Sequence, residues 1–278
     1  MADPHDSFAA RMAAAIATRG PLCAGVDPSA AALARWELAD DADGAYALGA
    51  RIIESVGANA SAAKFNLAFF ERFGSAGVRA LESLIDDARA AGLLCIADAK
   101  RGDIASTNAA YANAYLGDGP LSVDALTVSP YLGFAALSPF FEAAQAGGRG
   151  VFVVVRSSNP EGRPIQKALV GGTGSTGEAS VESMLLAEMA HQSAESVGAV
   201  MGVMADAEAI ELSASRFYLA PGVGAQGATV RDLSALYWQI PVTHVLVNLS
   251  RQLLDAGPDP HSLSVAAERA RSQISAGF

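Results

Sequence analysis

The 278-residue chain is predicted to be an α/β protein, a (β/α)8 TIM barrel forming a single domain over residues 1–278. Three observations predict this. Eight short apolar runs of strand length recur along the chain, stretches of helical period separate them, and polar residues able to do chemistry gather just after the runs. Buried strands alternating with helices imply a parallel sheet covered by helices, and eight such units in about 250 residues match a closed barrel. A doubly wound open sheet is the alternative. Both architectures hold their ligands at the carboxyl ends of the strands.

The opening segment places Phe8, Met12, Ala15 and Ile16 on one helical face before Gly20, and a first strand follows at Leu22–Val26. In "GAYALGARIIESVG", Ile52, Ile53 and Val56 repeat at helical spacing up to Gly57, and the second strand is expected at Ala62–Phe65. "GVRALESLIDDARAAG" then aligns Val78, Leu81, Leu84, Ile85 and Ala88, with Gly92 as a stop signal, ahead of a third strand at Leu93–Ala97. The remaining strands are expected at Ala125–Val128, Val151–Val155, Ala199–Met204, Phe217–Ala220 and Val245–Leu249. Leu263, Ala267, Ala270 and Ile274 mark a closing helix. The low-complexity stretch "LVGGTGSTGE", 169–178, has the composition of a mobile loop after the fifth strand.

A net charge of -10 argues against generic affinity for nucleic acid or an anionic membrane surface, since neither polyanion is attracted by that field. No stretch approaches the roughly 18 unbroken apolar residues of a membrane span. The first residues are acidic and lack a basic region followed by an apolar core, so they do not read as a secretory signal, and a cytoplasmic protein is expected. Cys23 and Cys95 each fall inside an expected strand, which suits small core side chains in a reducing compartment better than a disulfide framework or a metal site.

The strand ends carry the chemistry. Strand one ends in Asp27, and strand two carries Lys64 and Asn66. The third runs "LCIADAKRGDIAST" into Asp98, Lys100, Arg101 and Asp103, and strand eight is followed by Arg251. Side chains two apart on a strand share a face, so Asp98 and Lys100 should both look into the barrel, where Lys64 can join them. A solvated rim of ion pairs is the plain alternative. Charge placed in a confined interior costs desolvation and is found where a reaction uses the field.

The segment "APGVGAQG" holds Gly222, Gly224 and Gly227 at GxGxxG spacing. A dinucleotide fold would place this near the first strand, with an acidic residue ending the next one, whereas here the next strand ends in Asn248 and Ser250. The glycines better suit close approach of backbone N–H groups to an anion, with Arg251 supplying charge, and barrels often hold phosphate after strands seven and eight. A plain glycine-rich turn is the alternative. The four histidines have no triad or metal partner by spacing, and Ser157 and Ser158 lack a nucleophile-elbow pattern, leaving ligand hydrogen bonding as their better use.

Taken together, "DAKRGD", "SNPEG", "PGVGAQG" and the lysine in "AAKFNLAFFE" resemble the orotidine 5′-phosphate decarboxylase family nearly end to end, and "SPYLGF", "GRGVFV" and "AGPDP" resemble its longer, actinobacterial-like subgroup. The resemblance implies decarboxylation of orotidine 5′-phosphate to UMP with no cofactor and no metal, on a homodimer with sites shared at the subunit interface. It implies that Asp98 stands against the substrate carboxylate, that Lys100 stabilises and protonates the carbanion at ring carbon six, and that Lys64 holds Asp98 and the ribose. Asp103 would come from the partner copy with Ile104 and Thr107 beside it. Asp27 would contact the ribose, Ser158 the pyrimidine, and Gln226 with Arg251 the phosphate; Asn66 and Pro221 complete the implied substrate-binding set. Phe65 follows Lys64 where many members have proline, which restores a backbone donor. A magnesium-dependent sugar-phosphate lyase on the same barrel, expected to be acidic where Lys64 stands, and a catalytically silent phosphate binder are the rival functions.

Overall fold

The computed structural model describes residues 6–171, 179–205, 210–213, 216–224 and 227–278. Among these, eight parallel strands close into one barrel: β1 Leu22–Val26, β2 Ala62–Asn66, β3 Leu94–Arg101, β4 Ala125–Val128, β5 Gly150–Arg156, β6 Val197–Met201, β7 Tyr218–Ala220 and β8 Val245–Leu249. Each strand pairs with its neighbours in chain order, and β8 closes on β1 through Leu22 and Val247. The open-sheet alternative is thereby replaced by the barrel.

Period-two alternation sorts the strand residues. Cys23, Ala62, Leu94, Ile96, Ala125, Phe152, Val200, Leu219 and Leu246 point inward and form one apolar cluster. Their outward neighbours, such as Ala24, Ala63, Cys95, Leu126 and Val151, join the larger core against the surrounding helices. The helix Phe8–Arg19, capped by the Ser7 side chain on Ala10 N, closes the amino end of the barrel. Its Phe8 meets Phe152 and Phe217 edge-on, at ring-centroid distances of 5.8 and 5.0 Å, and packs with Met12 and Ile16 into the inner cluster. With that end sealed by rings, the polar inward positions sit at the carboxyl mouth.

Two strands, the third and the sixth, depart from expectation by more than one residue at an end. The third strand does not stop at Ala97; it continues through Arg101, carrying the charged run within the ladder as Asn66 pairs with Asp98 and Arg101 with Val128. The sixth strand, expected at Ala199–Met204, runs Val197–Met201. Register with β5, where Val151 pairs with Val197, sets its start, and its end comes where Gly202 N turns to donate to Arg156 O at 2.8 Å. Of the stretch expected to be a mobile loop, 169–178, the first residues Leu169–Val170 form a short antiparallel ladder with Ala179–Ser180 just beyond it, and residues 172–178 lie outside the described residues. Cys23 and Cys95 are both free and buried; burial pushes the Cys23 thiol up to about 12, leaving it a protonated core group at neutral pH. Among the described residues no helix is long and apolar enough to cross a membrane.

Candidate active site

The inward positions change from apolar to charged at one level of the barrel. Continuing the alternation from Cys23 reaches Asp27, from Ala62 reaches Lys64 and Asn66, and from Leu94 and Ile96 reaches Asp98. These residues line a cavity of about 290 Å3 together with Lys100, Ser158, Asn159, Pro221, Gly222, Asn248, Ser250 and Arg251. That volume suits a small ligand.

Asp98 is the hinge of the charge array. Its Oδ2 accepts from Lys64 Nζ at 2.8 Å, and its Oδ1 from Lys100 Nζ at 2.5 Å and from Thr127 Oγ1 at 3.1 Å. Lys64 also faces Asp27, with Nζ 3.8 Å from Oδ1. Burial pushes the Asp98 carboxyl upward, but the two ammonium charges and their hydrogen bonds override it and hold the group well below the usual carboxylate range. For Lys64, burial pushes down and the charges of Asp98 and Asp27 win, leaving it more basic than an ordinary lysine. Both groups are therefore ionised at neutral pH.

The two lysines are not equivalent. The Lys64 side chain is 6 % exposed and locked between carboxylates, whereas that of Lys100 is 52 % exposed and reaches the open cavity. A preorganised cation in that position can meet negative charge developing on a molecule in the cavity, without reorganising when the charge appears. Asp27 Oδ1 and Asn248 Oδ1 are buried acceptors that find no hydrogen-bond donor among the described residues, and both belong to residues lining the cavity. Buried polar atoms of this kind are normally satisfied, so their location favours a hydrogen-bonding ligand.

The described residues of the glycine-rich segment on either side of 225–226 are hydrogen-bonded to each other. Gly222, Gly224 and Gly227 have φ of 112, 78 and 86°, and Gly224 N donates to Ala228 O at 2.7 Å. Gly222 and Arg251 line the cavity from this side. Gln226 lies outside the described residues. Asp103, Ile104 and Thr107 do not line the cavity of their own chain. Asp103 sits in the turn after β3, fixed by its N–H to Asn108 Oδ1 at 2.9 Å, and Ile104 is 63 % exposed at the start of the helix Ala105–Leu116.

The orotidine 5′-phosphate decarboxylase / HUMPS family model matches residues 20–263. The chain belongs to this family. It is 46% identical over 266 residues to the orotidine 5′-phosphate decarboxylase of Salinispora arenicola, covering 95% of each chain. It is 43% identical over 271 residues to that of Streptomyces coelicolor, covering 97% of each. A crystal structure from Streptomyces avermitilis, provisionally named as the same enzyme, superposes with a TM-score of 0.90 at 43% identity, covering 99% of this chain and 97% of that one.

Family motifs do not reveal every residue at the mouth of this decarboxylase-family barrel. Thr127 belongs to none of those motifs, although alternation from the inward Ala125 points to it. Arg156, the polar residue just after the expected fifth strand, turns away from the cavity and makes paired bonds to Glu182, 2.7 and 2.8 Å, both residues being buried. That pair braces the end of β5 against the helix Val181–Met189, and Gln166 secures the next residue by donating to Ser157 Oγ at 2.8 Å. Phe65 is fully buried and pairs with Val26 and Ala97, so the position after Lys64 is an ordinary ladder residue.

Proposed function

We propose that the protein decarboxylates orotidine 5′-phosphate to UMP and CO2 in pyrimidine biosynthesis, using its own side chains and no cofactor. The relatives that match it over nearly their whole length carry this name. The single observation that carries the reading within the molecule is the Lys64–Asp98–Lys100 array at the cavity wall.

The chemistry follows from the charges. When the bond between ring carbon six and the carboxylate breaks, CO2 leaves and the electron pair stays on that carbon, with no adjacent group to delocalise it. The Lys100 ammonium stabilises this charge and then transfers a proton from Nζ to the carbon, leaving a neutral amine to be reprotonated from solvent. Both lysines line the cavity, and Lys100 takes this role rather than Lys64 because its side chain is the far more exposed of the two while Lys64 is held between two carboxylates. Lys64 holds Asp98 and, with Asp27, the ribose. Asp98 stands against the departing carboxylate.

Ser158 and Asn66 contact the pyrimidine side. The turn at Pro221–Gly222, with Gln226 and Arg251, takes the phosphate, where remote binding energy orders the mouth and excludes water. Asp103, Ile104 and Thr107 serve the site of a second copy in a homodimer. Their position outside their own cavity, and the exposure of Ile104, support this arrangement.

Mixing the purified protein with orotidine 5′-phosphate and following ultraviolet absorbance tests the reading. Conversion to UMP, insensitive to EDTA, is expected; folded protein that gives no turnover overturns it.

A further inference from the structure

Strands β3 and β4 do not run past each other in even register. Ala97 pairs with Leu126 and Arg101 with Val128, so Asp98, Ala99 and Lys100 span a stretch that Thr127 alone spans on β4. A surplus of this kind bends a strand, re-aims its side chains and leaves backbone groups without ladder partners. Lys100 takes up the irregularity with φ of 48°, a left-handed conformation uncommon for any residue but glycine. Such backbone persists only where its surroundings enforce it.

Thr127 stands opposite the irregularity. Lys100 N donates to Thr127 Oγ1 at 3.0 Å, and Thr127 Oγ1 lies 3.1 Å from Asp98 Oδ1. An ionised carboxylate can only accept and a backbone N–H can only donate, so the direction of both bonds is forced: the hydroxyl accepts from Lys100 and gives its one proton to Asp98. The same Oδ1 accepts from Lys100 Nζ. Backbone N–H, hydroxyl, carboxylate and ammonium thus form a closed ring that begins and ends on Lys100. Thr127 is fully buried, so its hydroxyl is shielded from exchange of partners with solvent.

We propose that Thr127 is a positioning residue for the Lys100 ammonium. It replaces the missing ladder acceptor, holds Lys100 in its left-handed conformation, and orients Asp98 Oδ1 toward the lysine head. A lysine that is half exposed and rich in rotamers is thereby fixed from both ends. The inference deepens the decarboxylase reading and rests on it for the kinetic part of its test.

Thr127→Val keeps the shape and removes the hydroxyl; Thr127→Ser keeps the hydroxyl. Thr127→Val is expected to lower kcat by about 10- to 100-fold, the scale of a misplaced catalytic group, with KM changed by less than about threefold. Thr127→Ser is expected to retain kcat within about threefold. Backbone hydrogen exchange reads the geometry without turnover: the Lys100 amide should be protected in the wild-type protein and in Thr127→Ser, and lose protection in Thr127→Val while Ala97 keeps its own. Wild-type kcat in Thr127→Val, or an equal loss in Thr127→Ser, overturns the proposal. A wild-type Lys100 amide exchanging like an exposed loop overturns it too, even if Thr127→Val fails to fold. Should the wild-type protein not turn over, the decarboxylase reading falls and the exchange result alone decides the role of Thr127.

Discussion

Gly202 lies directly beneath the peptide that carries Ser158: a methyl group at position 202 would come within 2.6 Å of Ser158 N and 2.7 Å of Ser157 C. The end of β6 is thus the platform on which the end of β5 rests, joined by the bond from Gly202 N to Arg156 O. Gly202→Ala must lift that platform. Losing one ligand hydrogen bond at Ser158 corresponds to roughly a tenfold rise in KM. Steady-state kinetics on the variant check this, and an unchanged KM would contradict the placement of Ser158 against the substrate.

Lys64 neutralises two carboxylates in a buried setting. Removing one partner of a buried ion pair costs about 3–5 kcal/mol, chiefly because the other charge is left uncompensated. Lys64→Met should therefore lose stability toward the lower end of that range, since Lys100 still pairs with Asp98, and Asp27→Asn added to it should recover part of the loss. Urea unfolding of the single and double variants measures both, and a Lys64→Met protein as stable as wild type would refute the account.

The pH dependence follows from the directions of two shifts. Asp98 is more acidic folded than the ordinary value near 3.9, so its contribution to stability is present above that value and is lost as pH falls through the folded pKa. Lys64 is more basic folded than the ordinary value near 10.4, so its contribution is present below that value and disappears as pH rises through the folded pKa. Across about pH 5 to 9 both keep their charges, and kcat at saturating substrate should carry no titration from either. Unfolding measured against pH should show a shallower acid limb in Asp98→Asn than in wild type; identical limbs would remove Asp98 as a cause.

The proposed sharing of sites between two copies makes a complementation prediction. Lys100→Ala should abolish turnover while UMP still binds, and Asp103→Ala should be strongly impaired. Mixed after subunit exchange, the two variants should regain about a quarter of wild-type activity, because one of four random pairings of site components is intact. Absence of recovery despite proven exchange would place Asp103 in its own chain's site.

How far the molecule could be read in advance depends on the range of the interactions involved. The eight strands and the inward placement of Asp27, Lys64 and Asp98 follow from apolar runs and period-two alternation, which are properties of neighbouring residues. Alternation also implied that Lys100 would look inward beside Asp98, and the two do meet, but across a bulge with a left-handed backbone rather than along a regular strand. Nothing local in "DAKR" announces that bulge, because it is a mismatch against β4 and exists only once the two strands have paired. Arg156 and Glu182 are likewise brought together by the return of the chain from β5 to its following helix. The sequence by itself therefore determined the barrel and the level at which its interior becomes charged. The tertiary structure alone decided which lysine is held between two carboxylates and which is the more exposed in the cavity, and what holds the latter there, since burial and cross-strand register are set by elements distant in the chain.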